Sequence, residues 1–145
     1  MRISDVLRNK GAETHTISPD ASVAELVAQL AEHGVGALVV GGEGGSVAGI
    51  VSERDVVRRL HTVGVEVLEW RVAEIMTVDV HSAAPETVVE DLAREMTERR
   101  IRHVPVIVDG ALVGIVSIGD VVKNRIDELE TERAALTDYI TGGAR

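Results

Sequence analysis

The chain contains two copies of one sequence pattern, and this internal repeat constrains its fold more than any other feature. Pro19-Asp20 and Pro85-Glu86 each open a stretch whose apolar positions coincide when one copy is shifted onto the other by 66 residues, from Pro19 to Pro85. Apolar residues at i, i+3, i+4 and i+7 predict one buried helix face in each copy. The matched positions are Val23, Leu26, Val27 and Leu30 in the first copy, and Val89, Leu92, Ala93 and Met96 in the second.

Two capping-box patterns stand near the predicted helix starts. Ser22 is followed three residues later by Glu25, and Thr87 by Glu90. Such a serine or threonine caps a free N–H group of the first helical turn, and the acidic residue bonds back to the cap. The sequence therefore predicts a capping box at both helices, offset by one residue between the copies.

An apolar, β-branched run follows each helix, over residues 35–40 and 101–108, and predicts a strand. Turn residues come next, 41–46 in the first copy and Asp109-Gly110 in the second; Asp-Gly between apolar runs predicts a hairpin. The returning strand carries Gly-Ile-Val-Ser in both copies, residues 49–52 and 114–117. Each copy is thus predicted to run short helix, strand, helix, two-stranded hairpin and helix.

This pattern predicts an α+β fold made of two βαββα repeats. A repeat of about 60 residues buries little core by itself, so we expect the copies to pack sheet to sheet with pseudo-twofold symmetry. The predicted boundaries are residues 1–60 for the first repeat, 61–70 for a linker, 71–125 for the second repeat and 126–145 for a C-terminal helix and tail.

The C-terminal helix carries an interrupted apolar seam. Ile126, Leu129, Leu136 and Ile140 follow a 3-4 spacing, and Arg133 occupies the place where a further apolar residue would complete it. Such a seam either covers the helix's own domain or pairs with another chain. The sequence leaves both alternatives open.

Composition excludes several classes of function. The chain has no Cys, which removes disulfides, thiolate metal sites and cysteine nucleophiles, and its net charge of −9 argues against nucleic acid as a partner. Asp5 and Arg8 lie where a signal peptide would be apolar, and no run approaches the roughly 18 apolar residues of a membrane span. His residues without a nearby acidic or Cys partner make no metal site. We expect a cytoplasmic protein without a membrane partner.

The repeat, with Pro-Asp or Pro-Glu before its helix and Gly-Ile-Val-Ser-x-x-Asp at its last strand, resembles the CBS (cystathionine-β-synthase) domain. Two copies in series are similar to a Bateman module of the small stand-alone bacterial type, which carries Ser-Glu-Arg-Asp in copy one and Arg-Ile-Arg-His with Ser-Ile-Gly-Asp in copy two. The resemblance covers about residues 1–125. It implies two clefts between the copies for AMP, ADP, ATP, S-adenosylmethionine or a nicotinamide dinucleotide, and assembly into a homodimer.

Ser52 with Asp55, and Ser117 with Asp120, form the central pairs of candidate site residues. Ser-x-x-Asp after a strand is itself a helix N-cap pattern, so capping alone could explain both pairs. A helix N-terminus also offers free N–H groups to a phosphate, and a carboxylate can accept hydrogen bonds from ribose hydroxyls. The resemblance implies that each aspartate binds ribose and that each serine lies near the sugar and phosphate.

Basic residues supply the remaining phosphate candidates. Residues 99–103 are the one dense basic stretch, and Arg99 and Arg100 suit a solvated helix C-terminus. Arg102 and His103 are predicted inside the strand, where the resemblance implies contact with ligand phosphates. The first copy has Gly36 and Ala37 there, so the two clefts should differ, and the more cationic one should contain the second copy's strand.

Five further candidates carry weaker arguments. Arg54 should project towards a cleft from the first turn of its helix, whereas Lys10 is better explained as a surface lysine than as a phosphate ligand. His15 and His81 occupy equivalent predicted strand positions and could frame a base or simply face solvent. The resemblance implies that the strand containing Pro105 borders the adenine.

These observations predict a regulatory module that binds an adenine nucleotide such as AMP, ATP or NAD(H) and senses energy or cofactor state, with no catalytic cofactor. Any protein that it regulates would be a separate chain. The alternative is a structural dimer or adaptor with empty clefts, in which the Ser-x-x-Asp residues serve only as caps. An enzyme is the least supported class, since no nucleophile–base arrangement, metal cluster or phosphate loop is recognisable.

Overall fold

The computed structural model describes residues 1–11 and 14–142, and it contains two α+β repeats followed by a long C-terminal helix. The first repeat comprises α1 (Ile3–Lys10), β1 (Thr16–Ile17), α2 (Val23–His33), β2 (Ala37–Gly41), β3 (Val47–Ser52) and α3 (Glu53–Val63). The second comprises α4 (Val89–Arg99), β4 (His103–Val108), β5 (Ala111–Ser117) and α5 (Ile118–Gly142). Short 3-10 turns lie at Glu43–Gly45, Val65–Glu69 and Val72–Glu74.

Each repeat has its own small sheet. In the first, β1 pairs parallel to β2, and β2 pairs antiparallel to β3. In the second, β4 and β5 form an antiparallel pair, and the strand predicted before α4 is reduced to a single bridge from Ala83 to Val106. The predicted helix that opens the second copy is likewise only the 3-10 turn Val72–Glu74. The two-residue turn at Asp109-Gly110, with φ of 50° and 80°, confirms the predicted hairpin.

The two capping predictions have different outcomes. At α2 the Oγ atom of Ser22 accepts a hydrogen bond from the backbone N–H of Glu25 at 3.1 Å, as predicted. The capping box predicted at Thr87 and Glu90 is wrong. Helix α4 has Val88 as its N-cap, and Thr87 Oγ1 instead accepts a hydrogen bond from Ala84 N. Thr87 therefore precedes the cap position by one residue.

The opening segments of the two repeats are exchanged. Ile3 and Val6 of α1 are buried in the core of the second repeat, whereas Val72 and Ile75 are buried in the core of the first. The backbone bonds follow the same pseudo-twofold relation, since Ile3 N donates to Thr87 O at 2.9 Å, and Val72 N donates to Ala21 O at 2.8 Å. The repeats are therefore held together by main-chain hydrogen bonds as well as by the buried side chains of the exchanged segments.

Two glycines of the repeated Gly-Ile-Val-Ser motif allow this exchange. A Cβ atom at Gly49 would lie 2.6 Å from the carbonyl oxygen of Thr77, and one at Gly114 would lie 2.6 Å from Cδ2 of Leu7. Both distances are shorter than van der Waals contact permits. The motif carries glycine because the opening segment of the other repeat lies directly against each strand.

The predicted linker at residues 61–70 is a structured part of the first core. Helix α3 continues to Val63, and the side chain of Val67 in the next turn is fully buried. Val63, Leu68 and Trp70 pack around that core with part of their surface exposed. No helix in the described part of the chain is long and apolar enough to cross a membrane.

Candidate functional site

A cavity of about 600 Å³ lies between the two repeats, and we call it the first cleft. Strand β3 and helix α3 contribute one side, and the segment that leads from α4 into β4 contributes the other. The structure brings six of the predicted site residues to its lining: Ser52, Arg54, Asp55, His81, Arg102 and His103.

The Ser52–Asp55 pair forms a capping box at the start of α3. Asp55 Oδ2 accepts hydrogen bonds from Ser52 N at 2.8 Å and from Ser52 Oγ at 3.1 Å. Ser52 Oγ in turn accepts a hydrogen bond from Asp55 N at 3.3 Å. The carboxylate is therefore held in one orientation at the cavity wall, next to the free N–H groups of the helix N-terminus.

Five arginines line the first cleft: Arg54, Arg58, Arg99, Arg100 and Arg102. None of them forms an ion pair within 4.0 Å with a carboxylate in residues 1–11 or 14–142. Glu53, Asp55 and Asp79 line the same cavity, so positive charge exceeds negative charge there although the chain as a whole carries −9. Unpaired guanidinium groups around one cavity are suited to an anionic ligand.

Arg100 occupies a backbone conformation that disfavours its side chain. It ends α4 in the left-handed region, with φ 56° and ψ 42°, and its counterpart at the end of α2 is Gly34, with φ 64° and ψ 36°. A residue other than glycine costs about 1–2 kcal/mol in this region. The second repeat thus carries an unfavourable residue at a position where its side chain lines the cleft, and strained residues of this kind concentrate at functional sites.

His103 lies where the two repeats meet. Its ring is close to Gly36, where an added Cβ atom would come within 3.3 Å of His103 Cε1. Burial is the main cause that lowers the pKa of His103 from its ordinary value of 6.5, and the nearby carboxylate of Glu53 opposes the shift. Burial therefore favours the neutral imidazole, and an anionic ligand beside it would favour the charged form.

The second Ser-x-x-Asp pair has a different environment. Asp120 Oδ2 accepts hydrogen bonds from Ser117 N at 2.9 Å and from Lys10 Nζ at 2.7 Å, and Lys10 also donates to Ile115 O at 2.8 Å. Burial alone would raise the pKa of Asp120, but the hydrogen bonds from Lys10 and Ser117 lower it below its usual value. Asp120 thus already has a cationic partner within the chain, whereas Asp55 has none among the described residues.

The remaining predicted site residues lie in or near the strands of the two repeats. His15 immediately precedes β1 and stacks on His33, with ring centroids 3.7 Å apart, whereas His81 Nε2 lies 2.5 Å from Glu95 Oε2. Neither histidine is inside a strand, which corrects the prediction, and Arg102 likewise precedes β4. Pro105 is buried within β4, where its carbonyl accepts a hydrogen bond from Ala83 N.

Sequence reasoning missed part of the cleft. Arg58 and Asp79 were not recognised, and Arg99 and Arg100 were assigned to a solvated helix end. Alignment of the two copies offers one signal that Arg100 belongs to the site. Arg100 stands in the second copy where the first copy ends its helix with Gly34. Asp79 follows the exchanged turn Val72–Glu74, so its place in the cleft depends on that exchange.

Comparisons with known proteins agree with this architecture. The CBS domain family matches twice, over residues 3–62 and 72–127. The chain is 40% identical over 149 residues to the mitochondrial CBS domain-containing protein CBSX3 of Arabidopsis thaliana, covering 97% of this chain and 72% of that protein. It is 30% identical over 136 residues to CBS domain-containing protein YhcV of Bacillus subtilis, covering 94% and 95%.

Solved structures show the same fold. The CBS-domain protein ATU1752 of Agrobacterium tumefaciens superimposes with a TM-score of 0.83 at 40% identity, over 86% of this chain and 99% of that one. The CBS domain pair of protein MJ0100, solved in complex with 5-methylthioadenosine and S-adenosyl-L-methionine, has a TM-score of 0.76 at 27% identity, over 85% and 98%. With both repeats matched by the family and the fold shared with solved pairs, the chain belongs to the CBS domain family as a tandem CBS pair.

Proposed function

We propose that this CBS pair is a regulatory module that binds one adenine nucleotide in the first cleft and performs no chemistry on it. The observation that carries the proposal is the convergence of five arginines, none ion-paired within the described part of the chain, on a cavity that also contains the Ser52–Asp55 box. The CBS pair of MJ0100 was solved with two adenosine-containing ligands, which supports adenosine as the common part of the ligand.

The chemistry of the lining suggests how the nucleotide is oriented. The Asp55 carboxylate is suited to accept hydrogen bonds from both ribose hydroxyls. The N-terminus of α3 and the adjacent Arg54 are suited to a phosphate. Ile50, Val80 and Ile101 are the larger apolar residues of the lining, so the base would pack against aliphatic side chains.

The number of cations favours a ligand with more than one phosphate. S-adenosylmethionine carries a sulfonium cation and no phosphate, so five arginines would oppose it more than assist it. ADP, ATP or a nicotinamide dinucleotide offers enough anionic oxygens to engage several guanidinium groups from both repeats. We therefore rank these ligands above AMP and S-adenosylmethionine.

A site at the Ser117–Asp120 pair is the weaker candidate. A ribose that approached Asp120 would have to compete with the hydrogen bond from Lys10, which also bonds to Ile115 O. No cation competes in this way at Asp55 among the described residues. We therefore propose a stoichiometry of one nucleotide per chain.

Thermal unfolding with a panel of ligands tests the proposal. ATP, ADP, NADH, AMP and S-adenosylmethionine are compared on ligand-free protein, with GTP as the control for the base. A ligand at one hundred times its dissociation constant stabilises the folded state by about 2.7 kcal/mol, which corresponds to a rise of several degrees. Stabilisation by ATP or NADH but not by GTP supports the proposal, and no stabilisation by any of the ligands contradicts it.

A structural adaptor with empty clefts is the second candidate. It is favoured by the capping hydrogen bonds of both Ser-x-x-Asp pairs, which already give these residues a role in folding. The Arg102→Ala variant separates the two functions, because the Arg102 side chain is exposed and forms no hydrogen bond among the described residues. The backbone carbonyl of this residue, which accepts a hydrogen bond from Ile118 N, is kept in the variant. A nucleotide-binding module would lose affinity in this variant with unchanged stability, whereas an adaptor would show no nucleotide binding before or after the change.

A further inference from the structure

Two helices of this chain begin with the same arrangement of charged residues. In α1 the aspartate at position N3, Asp5, is followed three residues later by Arg8. In α3 the aspartate at position N3, Asp55, is followed at the same spacing by Arg58. The Oδ2 atom of each aspartate accepts a hydrogen bond from the backbone N–H of the N-cap residue, at 3.0 Å in α1 and at 2.8 Å in α3. Residues three apart are neighbours on a helix, so the local sequence offers both helices the same ion pair.

This ion pair forms in α1 and does not form in α3. Arg8 Nη1 lies 3.3 Å from Asp5 Oδ1, so that carboxylate caps its helix with one oxygen and binds the arginine with the other. Asp55 uses only its Oδ2 atom, which accepts hydrogen bonds from Ser52. Among the described residues, Asp55 Oδ1 and the guanidinium group of Arg58 have no hydrogen-bond or ion-pair partner. Because capping and spacing are the same, the difference lies in the surroundings of the two helices.

The surroundings of α3 are the first cleft. Asp55, Arg58 and the preceding Arg54 all line that cavity. The two arginines are unfavourable for the helix itself, because they are like charges at i and i+4 and Arg54 lies at the positive end of the helix dipole. Helix α3 therefore leaves one carboxylate oxygen and two cations uncompensated within the described structure, beside one cavity. A ligand that carries both hydroxyl donors and anionic groups would satisfy all three.

The two arginines of α3 would meet different parts of such a ligand. With the ribose at Asp55, the first phosphate lies at the N-terminus of α3, where Arg54 is next to it. Four residues along a helix correspond to a rise of about 6 Å, so Arg58 stands that much farther along the cavity wall. Further phosphates that continue along the helix would reach Arg58, whose planar guanidinium group can bind two phosphate oxygens at once.

We propose that Arg58 is a specificity-determining residue of the first cleft, which binds the phosphates beyond the first one and so favours ADP and ATP over AMP. The inference rests on the proposed function, because it requires a nucleotide whose ribose is held by Asp55. It adds to that function by assigning the selection among adenine nucleotides to a residue outside the repeated Ser-x-x-Asp motif.

The neighbouring residue Arg59 provides a matched control. It has the same charge, lies on the same helix and is exposed like Arg58. It too forms no ion pair with a carboxylate of the described residues, but it does not line the first cleft. Arg58→Gln and Arg59→Gln each remove one positive charge from α3, so an effect of overall charge is common to both variants.

Calorimetric titration of adenosine, AMP, ADP and ATP into ligand-free protein tests the inference. We expect the wild type to bind ADP and ATP at least about tenfold more tightly than AMP, since a hydrogen bond between charged groups contributes that much or more. Arg58→Gln should lose this preference, with its affinities for AMP and adenosine unchanged, and Arg59→Gln should bind all four ligands like the wild type. Arg58→Lys should recover part of the preference, because lysine keeps the charge without the planar fork. Urea unfolding of the variants checks that the fold is kept.

Several results would overturn the inference. Unchanged ATP affinity in Arg58→Gln would remove its basis, and equal losses in Arg58→Gln and Arg59→Gln would show an effect of overall charge. Equal losses of AMP and ATP affinity in Arg58→Gln would place Arg58 at the first phosphate or the ribose. A wild type that binds AMP as tightly as ATP would exclude selection by phosphate number and leave nucleotide binding itself intact. A wild type that binds no adenine nucleotide would overturn the proposed function together with this inference.

Discussion

Replacing Arg100 by glycine should raise stability and weaken nucleotide binding in one step. Arg100 adopts a left-handed conformation at the end of α4, with φ 56°, and its side chain lines the first cleft. In the first repeat the same position is Gly34, with φ 64°. The Arg100→Gly variant therefore gives the second repeat the residue that its backbone prefers.

The two effects can be estimated from the structure. A left-handed backbone conformation destabilises a non-glycine residue by about 1–2 kcal/mol, and replacement by glycine removes this strain. Glycine also gives the unfolded chain more conformational freedom, which lowers the free energy of unfolding by about 0.5–1 kcal/mol. The expected net gain in the free energy of unfolding therefore lies between zero and about 1.5 kcal/mol. Loss of a hydrogen bond to a charged phosphate costs about 1.5–3 kcal/mol, which is roughly a tenfold to hundredfold loss of affinity.

Urea unfolding and calorimetric titration with ATP measure the two quantities on the same protein. The matched control is Gly34→Arg, which introduces the same strain in the first repeat, where a Cβ atom would contact nothing within 4 Å. This control should lose stability. If Arg100→Gly were destabilised and bound ATP as tightly as the wild type, the argument from backbone strain to function would be refuted.

Three other changes have definite expected results. Gly49→Ala forces a Cβ atom to 2.6 Å from Thr77 O and should lower the free energy of unfolding by about 1–3 kcal/mol in urea, whereas Gly119→Ala, with no contact closer than 3.6 Å, should not. Lys10→Met frees the Asp120 carboxylate and should add a second nucleotide per chain in calorimetry; an unchanged stoichiometry would contradict this role of Lys10. Burial lowers the pKa of His103, so its contribution to stability is complete above pH 6.5 and is lost as the pH falls below that value. Between pH 7 and pH 5.5 the free energy of unfolding should therefore fall further in the wild type than in His103→Gln. Equal falls in the two proteins would contradict this role of His103.

Local features of the fold could be predicted because their causes are local. The Asp109-Gly110 turn requires two positive φ angles, which this residue pair adopts readily, and the structure has them. The apolar faces of α2 and α4 follow from their spacing alone, and Leu26 and Leu92 are fully buried as expected.

The exchange of the opening segments could not be predicted, because Ile3 and Val72 show the same apolar pattern whichever sheet they pack against. The wrong capping prediction has a local cause. At the shift of 66 residues the N-cap Ser22 corresponds to Val88, so Thr87 stands one residue too early to cap α4. The exchanged segments bond to both helices in the same way, since Val23 N donates to Trp70 O and Val89 N donates to Met1 O.

The candidate site was predictable where its residues belong to the repeated motif or to the basic stretch that the family resemblance singles out, as Arg102 and His103 do. Ser52 and Asp55 follow from the capping pattern and the family resemblance, and both line the first cleft. Arg58 reaches the same cavity from the next turn of α3, which the motif does not include. Asp79 belongs to the connection after the exchanged turn, so its place depended on a contact that the sequence does not reveal.

Calorimetric titration of ATP and NADH into ligand-free wild-type protein, Asp55→Ala and Asp120→Ala tests the central claim most directly. The two variants are matched, because each removes the carboxylate of one Ser-x-x-Asp cap, at an expected cost of about 1 kcal/mol in stability. We predict one nucleotide per wild-type chain, binding that is lost in Asp55→Ala, and binding that is retained in Asp120→Ala. Binding lost only in Asp120→Ala, or absent from the wild type, would contradict the assignment of the first cleft as the nucleotide site.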